Sequence, residues 1–195
     1  MPIITILEHQ ARWNTDFEAI ESELRTALGS LALAIDHIGS TAVLGLCAKD
    51  VIDIQVTVQS LDTSVVQTLT KAGFTTHNSE AFRQDHVPPE AELRPEHWSK
   101  LFFMQRLGAR RSNIHIRQIG RPNRRYALLV RDFLRADKRS ANAYGELKRR
   151  LAVALTDPDA YPEVKDPASD LIYFAAERWA LQTQWQLNKT PASEV

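Results

Sequence analysis

The sequence predicts a mixed α/β (α+β) fold with a sheet, flanking helices and a C-terminal helical part. Residues 31–38 and 51–58 are apolar runs of strand length, separated by a short linker. Residues 101–107 and 112–119 form a second pair of strand-like runs with turn residues between them. From about residue 121 onward, apolar residues recur only at helical spacing. Early strands followed by late helices predict an α+β arrangement.

A helix is predicted before the first strand. Its apolar stripe has helical spacing and consists of Phe17, Ile20, Leu24 and Leu28. We expect Thr15 to be the N-cap, because Glu18 follows three residues later and completes a capping box. Gly29 is expected to end the helix.

The first two strands should be followed by a helix and a long loop. We expect Asp62 to cap this helix and Gly73 to end it. Residues 77–99 are polar and charged, with three prolines, and predict a long loop. This loop is either a solvated surface insertion or a flap on the substrate side, since long loops in compact domains are often functional.

Three helices are predicted in the C-terminal part. The first begins at residues 121–123, where a proline follows an arginine. The second begins at Asp137 or Ser140. The third is expected to begin at Asp166, with Pro167 at its first helical position.

Length and composition predict a single domain over residues 1–187, with a core over about 1–120 and a helical part over about 121–187. The chain has 195 residues, 44% of them hydrophobic, which is enough for one compact core. The polar residues 188–195 are expected to form a flexible tail. Cys47 is the only cysteine, so no intramolecular disulfide can form and a cytoplasmic location is expected.

Charge and hydropathy argue against several classes of function, and nucleic-acid processing is the weakest of three functions considered. The formal net charge is zero, which argues against a general binder of nucleic acid or of anionic membranes. An aromatic and basic stripe, which single-strand binders use, is also missing from the sequence. No signal segment precedes the first helix and no apolar run is long enough to span a bilayer.

The turn between the first two strands carries the main functional signal. Gly39 permits a tight turn, and Ser40 and Thr41 supply hydroxyls beside backbone N–H groups that can hold a phosphate. About a dozen residues later, Asp53 lies among apolar residues of the second strand. An acid in an apolar strand is costly to bury without a partner, so we expect it to have a functional role. A structural turn and a locally paired acid are the alternatives.

These residues resemble a known family. Strand acids that hold Mg²⁺, together with a Gly-Ser turn that holds nucleotide phosphates, are the signature of the nucleotidyltransferase fold. The residue sequence of the motif further resembles that of the GrpB family. This family has that fold, and related domains occur fused to dephospho-CoA kinases. The resemblance lies in residues 37–43, 45–46, 48–49 and 52–54, and later in 131–136, 144–148, 161–162 and Lys165.

The resemblance implies a set of site residues. Asp53 would be catalytic and would hold Mg²⁺. Asp50 stands where the family usually has proline, adds a charge near the site and is expected as a second Mg²⁺ ligand. His115, on the polar face of the last predicted strand, would stand where a neighbouring strand supplies a third acid, as a base, ligand or phosphate contact. The predicted phosphate-binding residues are Gly39, Ser40, Thr41, Lys49, Arg131, Arg135 and Lys148. Solvated or ion-paired surface charges are the alternative for the basic residues.

One departure from the pattern bears on catalysis. The fold places acid, apolar residue and acid on one strand, and residues two apart face the same way. Gln55 therefore puts a neutral amide where the second carboxylate belongs. A two-metal site needs several carboxylate oxygens. Two functions follow: Mg²⁺-dependent transfer of a nucleoside monophosphate to a small acceptor, or a module that binds a nucleotide, a similar phosphorylated molecule or a protein without turnover.

Overall fold

The computed structural model describes residues 4–76, 83–89, 94–155, 157 and 160–187. The helices are α1 (Arg12–Leu28), α2 (Thr63–Lys71), α3 (Pro122–Ala136), α4 (Lys138–Ala154) and α5 (Tyr161–Thr183). The strands are β1 (Ala34–Ile38), β2 (Ile52–Val58), β3 (Phe74–Thr76), β4 (Leu101–Arg106) and β5 (Ser112–Gln118). The predicted mixed α/β fold with a C-terminal helical part is confirmed.

The five strands form one mixed sheet in the order β1-β2-β5-β4-β3. The central pair, β2 and β5, is parallel, and the three other pairs are antiparallel. Asp53 pairs with Asn113 in the central register, and Gln55 pairs with His115. Because alternate residues share a face, the two central strands bring these four side chains to the same side of the sheet.

The first helix begins earlier than predicted. Helix α1 starts at Arg12, so Thr15 lies inside its first turn, where its hydroxyl donates to the Arg12 carbonyl oxygen at 2.9 Å. The prediction of Thr15 as N-cap was wrong. The fully buried Trp13 and its indole hydrogen bond to Asp50, at 2.8 Å, hold the earlier start. The predicted end is confirmed, since Gly29 has a φ of 52°.

One face of the sheet is apolar and the other is polar. Apolar side chains of β2 and β5 pack with α1 and α2 in the main hydrophobic core; they include Ile52, Ile54, Val56, Ile114 and Ile116. The opposite face carries Asp53, Gln55, Thr57, Asn113, His115 and Arg117. Helix α3 lies over this polar face, and its Arg124 donates to Thr57 Oγ1 at 3.0 Å.

A second hydrophobic cluster joins the helical part to the motif. Helices α3, α4 and α5 pack around Leu129, Phe133, Ala141 and Ala176. Val43 and Leu46, from the linker after the Gly-Ser-Thr turn, belong to the same cluster. The helices thus hold the linker directly, and burial of these apolar side chains fixes the turn relative to the helical part.

Two helix starts in this part agree with the prediction and one differs. Asp137 caps α4 by accepting from the backbone N–H of Arg139 and Ser140, at 2.9 and 3.0 Å. Helix α5 begins at Tyr161 and contains Pro167, so the predicted start at Asp166 was wrong. A proline already stands in its first turn, where no helical N–H is required, and that turn nucleates the helix earlier.

The long loop predicted over residues 77–99 is described only in part. Residues 83–89 and 94–99 are described, with a bridge between Gln84 and Ser99 and a short 3₁₀ turn at Pro95–Trp98. Residues 77–82 and 90–93 lie outside the described residues, as does the predicted tail at 188–195. Within the described part of the chain, no helix combines the length and the apolar character that crossing a membrane requires.

Candidate functional site

A cavity of about 280 Å³ lies between the polar face of the sheet and helices α3 and α5. We call it the main cavity. Its lining includes Gly39, Ser40, Asp53, Asp85, His115, Arg117, Asn123, Arg131 and Lys165. The Gly-Ser turn, the acid of β2 and basic side chains from the helical part therefore meet at one place, although they are distant in sequence.

Gly39 is in direct contact with Asp53. Its φ of 69° is a conformation that side chains other than glycine rarely adopt. A Cβ on this residue would lie 2.5 Å from Asp53 Oδ2 and 2.9 Å from Asp53 Cβ. Position 39 thus requires glycine for two reasons: the positive φ of the turn, and the short distance between the turn and the Asp53 side chain.

Asp53 is held by an amide of the neighbouring strand. Asn113 Nδ2 donates to Asp53 Oδ1 at 2.9 Å. Burial raises the pKa of Asp53, and the hydrogen bond from Asn113 and the positive charge of Lys165 act against this rise. A cation or a hydrogen-bond donor close to Asp53 would therefore stabilise the ionised form of the carboxylate.

Lys148 reaches the turn from helix α4. Its ammonium donates to Ser40 Oγ at 2.8 Å and also to the carbonyl oxygen of Cys47, and it lies 4.7 Å from the centre of the Tyr144 ring. The side chain is 3% exposed, and burial lowers the pKa of Lys148 to about 8. Ser40 lines the main cavity, and the ammonium of Lys148 is bound to its hydroxyl from outside the lining.

Two further lysines lie on this side. Lys165 of α5 lines the main cavity, and its hydrogen bond and charge interaction with Tyr144 raise the pKa of Lys165. Lys49 is exposed and sits 4.0 Å from the centre of the Tyr161 ring. Burial lowers the pKa of Lys49, and so does the charge of Lys165. Of these two, the structure brings only Lys165 into the lining.

The two predicted arginines of α3 hold the backbone on both sides of the turn. Arg131 Nη1 donates to the His37 carbonyl oxygen at 3.1 Å, and Arg135 Nε donates to the Ala42 carbonyl oxygen at 2.9 Å. Arg131 also lines the main cavity. Arg135 lines a separate cavity on the other side of the turn. Both guanidinium groups therefore brace the turn from the helical part.

Thr41 faces that separate cavity rather than the main one. Its Oγ1 lies 3.0 Å from Nε2 of the buried His37, and the His37 ring stacks on Phe17 at 4.7 Å between centroids. Burial lowers the pKa of His37 to about 4, with further lowering by Arg135 and Arg131. The imidazole is therefore neutral at pH 7.

His37 should make the stability of the protein depend on pH. In the unfolded chain the histidine takes up a proton near its ordinary pKa of 6.5, whereas the folded protein resists protonation until about 4. The folded state therefore loses stability as the pH falls from 6.5 to 4, by about 2 kcal/mol at pH 5 relative to pH 8. Urea unfolding at both pH values measures this loss. His37→Gln should lessen the difference in the free energy of unfolding between pH 8 and pH 5. An equal difference in the variant and in the wild type would contradict this prediction.

Gln55 and Arg117 form a buried pair on the polar face. Arg117 Nη1 donates to Gln55 Oε1 at 2.7 Å, and the two residues are 5% and 0% exposed. Arg117 also donates from Nε and Nη2 to the two oxygens of Asp85, at 2.7 and 2.9 Å. The amide in the second acid position is thus a hydrogen-bond acceptor for a guanidinium.

Asp85 is the centre of a charged network. Lys100 donates to its Oδ1 at 2.7 Å and Asn123 donates to its Oδ2 at 3.1 Å, in addition to the two bonds from Arg117. Burial acts to raise the pKa of Asp85, but the charges of Arg117 and Lys100 outweigh it and hold the pKa below its ordinary value. Asp85 is therefore ionised and fully hydrogen-bonded.

His115 lines the main cavity, beside this network. Its Nδ1 is 3.3 Å from the ammonium of Lys100, and its ring meets Phe102 edge to face at 5.2 Å. Burial, with the charges of Arg117 and Lys100, lowers the pKa of His115 well below its ordinary value. The neutral ring accepts from Lys100 at Nδ1, so its Nε2 carries the proton and acts as a donor.

Asp50 lies apart from Asp53. Its carboxylate accepts from Trp13 at 2.8 Å, from Arg12 at 2.6 Å and from Arg110, and it does not line the main cavity. The structure therefore does not bring together the two carboxylates that were predicted to hold Mg²⁺. Across the described residues, no three His, Cys, Asp or Glu side chains are grouped to hold a metal ion. This donor set does not fit a metal site.

Sequence reasoning missed several residues of the cavity. Asp85 and Trp98 come from the loop that was predicted as polar, and both line the main cavity. Asn123 was taken only as part of a helix start, yet it binds Asp85. Asn113 and Arg117 lie on the polar strand face on which His115 was predicted, and their alternation with buried isoleucines was the signal that could have identified them as site residues.

Sequence relatives place these features in a family. A family model described as GrpB protein matches residues 3–173. The chain is 35% identical over 198 residues to a dephospho-CoA kinase of Mycolicibacterium paratuberculosis, covering 94% of this chain and 48% of the kinase. It is 32% identical over 154 residues to UPF0157 protein BH1888 of Halalkalibacterium halodurans, covering 76% and 69%. The chain thus spans about half the length of the dephospho-CoA kinases it matches.

Solved structures agree with this placement. The conserved protein GrpB from Enterococcus faecalis superposes with a TM-score of 0.72 and 26% identity, over 93% of this chain and 100% of that one. The poly(U) polymerase Cid1 superposes with a TM-score of 0.50 and 13% identity, over 74% and 42%, which shows a shared fold alone. The predicted nucleotidyltransferase-like fold is confirmed. With a family model matching most of its length and a GrpB structure covering it almost entirely, the chain belongs to the GrpB family.

Proposed function

We propose that the protein binds a nucleotide or a similarly phosphorylated small molecule in the main cavity, with a phosphate at Ser40 and Lys148. The observation that carries this proposal is the hydrogen bond from Lys148 to Ser40, at 2.8 Å between residues 108 positions apart. The fold delivers a buried ammonium to the hydroxyl of the Gly-Ser turn, and an ammonium beside a hydroxyl is a donor set suited to phosphate oxygens.

The neighbouring groups support the same ligand. The first backbone hydrogen bond of the turn runs from the Ala42 N–H to the Gly39 carbonyl oxygen. The N–H groups of Ser40 and Thr41 come before this bond in the turn and are therefore candidates to donate to a phosphate oxygen. Lys165 adds a second ammonium on the cavity wall. Arg131 and Arg135 act through the backbone they hold, and Thr41 faces away. Lys49 and Lys148 both lie outside the lining, but Lys148 is bound to Ser40 Oγ whereas Lys49 packs on the Tyr161 ring. The phosphate contacts are therefore assigned to Ser40, Lys148 and Lys165, with Gly39 shaping the turn.

The size of the cavity limits the ligand. Its volume of about 280 Å³ lies just below the range for small-molecule sites, roughly 300–1,000 Å³. Apolar side chains of α3 and α5, such as Val130 and Ile172, form part of the wall. A phosphorylated head group with a small apolar portion fits this lining, and a larger ligand would extend into solvent.

Binding without turnover is the first form of this function, and nucleotidyl transfer is the second. Non-catalytic binding is supported by Gln55, which is bound to Arg117 where a second carboxylate would hold metal. The match to dephospho-CoA kinases makes dephospho-CoA a probe for an accessory module of that kind. Transfer of a nucleoside monophosphate is supported by the contact between Gly39 and Asp53. Asp53→Asn should abolish turnover if transfer occurs, and formation of a product with ATP and Mg²⁺ by that variant would exclude Asp53 as its catalytic group.

Replacing Lys148 should weaken ligand binding strongly. Lys148→Met keeps an unbranched side chain in a buried site but removes the ammonium from Ser40. We expect the dissociation constant for ATP, GTP or dephospho-CoA to rise at least about tenfold, since a hydrogen bond to a charged group contributes about 1.5–3 kcal/mol. Calorimetric titration with each probe measures the change.

The matched control is Arg150→Gln on the same helix. Arg150 is 78% exposed and pairs with Glu146 at 2.8 Å, so its loss removes one positive charge far from the turn. This variant should bind as the wild type does. Equal affinities for Lys148→Met and wild type, with both folded by circular dichroism, would refute a phosphate at Ser40 and Lys148.

A further inference from the structure

The second position of the acid–apolar–acid pattern presents a donor rather than an acceptor. Gln55 directs its oxygen to Arg117 Nη1, at 2.7 Å. Its amide nitrogen Nε2 is buried and has no hydrogen-bond partner among the described residues. An amide NH₂ donates hydrogen bonds and offers no lone pair to a metal ion. This buried position therefore offers a hydrogen-bond donor and no metal ligand.

The same place carries a fixed positive charge. Arg117 and Lys100 share the single carboxylate of Asp85, so the three groups together carry a net charge of plus one. Arg117 uses Nε, Nη1 and Nη2 in one named hydrogen bond each, which leaves two of its five N–H donors. Arg117 and Asp85 both line the main cavity. This net positive charge would repel a divalent cation, whereas the carboxylates of a metal site attract one.

Two further carboxylates line the main cavity, Asp53 and Asp166. Asp53 accepts from Asn113 at 2.9 Å, and its other oxygen faces the turn at Gly39. Lys165 also lines the cavity, and the charge of neighbouring Asp166 contributes to the raised pKa of Lys165. Asp53, the one carboxylate that the family pattern retains, is under the influence of the positive charges of Lys165, Arg117 and Lys100.

We propose that the main cavity binds its phosphorylated ligand in metal-free form, with the charge of Arg117 and Lys100 taking the role that a bound cation has in a metal-dependent site. This inference rests on the proposed function. The ligand class is then a phosphate monoester or diphosphate with free anionic oxygens, and a triphosphate complexed with Mg²⁺ is excluded from it. Positive side chains fixed by the fold need no reorganisation when such a group binds.

Calorimetric titration of the wild-type protein with ADP, pyrophosphate and dephospho-CoA, in EDTA and then in Mg²⁺, tests the inference. We expect binding in EDTA. With Mg²⁺ at ten times the dissociation constant of its complex with ADP or pyrophosphate, the free probe falls about tenfold, and the apparent dissociation constant should rise about tenfold. Binding that requires Mg²⁺, or that Mg²⁺ tightens, would overturn the inference and leave the proposed function standing. Failure of every probe in both conditions would overturn both.

A substitution at Gln55 gives a second measurement. Gln55→Glu places a carboxylate beside Arg117, which should keep the protein folded by pairing with the guanidinium and should cancel the positive charge on the wall. We expect about tenfold weaker binding of ADP in EDTA, equivalent to about 1.4 kcal/mol. Gln67→Glu makes the same change at an exposed position of α2 and should bind as the wild type does. Unchanged affinity in folded Gln55→Glu would overturn the role of this charge.

Discussion

Asp85→Ala should destabilise the protein by about 3–5 kcal/mol, because it leaves two buried cations without their shared carboxylate. Arg117 and Lys100 have side chains that are 6% and 10% exposed, and Asp85 accepts from both. Asn123 would lose its hydrogen bond as well. Urea unfolding of the variant and the wild type at pH 7 measures the difference in the free energy of unfolding.

The control for this change is an aspartate that is also bound by arginines but lies nearer the surface. Asp16 accepts from Arg110 at 2.7 Å and from Arg12 at 3.5 Å, and both arginines keep Asp50 as a partner. Asp16→Ala should therefore cost about 1 kcal/mol or less. If Asp85→Ala cost no more than Asp16→Ala, the network would not have the central role assigned to it.

The same carboxylate predicts a loss of stability in acid. The folded pKa of Asp85 lies below its ordinary value of 3.8, so the unfolded chain binds a proton there more readily. Its stabilising contribution is complete above 3.8 and disappears as the pH falls further below that value. The Asp85→Ala variant should lack this part of the acid dependence.

Gly39→Ala should be the second most damaging of the changes considered. The substitution forces a side chain into a φ of 69° and places its Cβ 2.5 Å from Asp53 Oδ2. Backbone strain of this kind costs about 1–3 kcal/mol, and crowding in a packed site adds about 1–3 kcal/mol. Thermal and urea unfolding should show the loss, and binding of ADP should weaken with the displacement of Asp53.

Gly120→Ala separates the two causes. Gly120 has a φ of 79°, but a Cβ there would meet no atom within 4 Å. Its substitution carries the backbone strain without the clash, so it should cost clearly less than Gly39→Ala. Equal costs at the two glycines would mean that the contact between the turn and Asp53 adds nothing to the requirement for glycine.

The fold was predictable where local chemistry determines structure. Gly39 and Asp62 carried clear turn and cap signals, and alternating residues around Ile114 identified the polar face of β5. These features depend on residues close together in sequence. The exact starts of α1 and α5 were not predictable, because buried Trp13 and a proline in the first turn of α5 set them through contacts that periodicity does not reveal.

The site was only partly predictable for a related reason. The Gly-Ser turn and Asp53 lie within one short stretch, and the structure places both at the main cavity. Asp85 gave no signal, since an acid in a polar loop is ordinary and its partner Arg117 is 32 residues away. Asp50 looked like a spare metal ligand because its arginine partners, one of them 60 residues distant, are invisible in the local sequence.

The reach of Lys148 back to Ser40 has a consequence for synthesis of the chain. The turn, Asp53 and β2 emerge from the ribosome first, and Lys148 follows 108 residues after Ser40. At about 5–20 residues per second, the turn exists for roughly 5–20 s without its ammonium partner. His86, which neighbours Asp85 in the loop, also waits for a partner, since Asp170 lies 84 residues beyond it on the last helix. A nascent chain therefore carries the complete motif long before the main cavity exists, and the proposed binding site is complete only after α4 and α5 have docked.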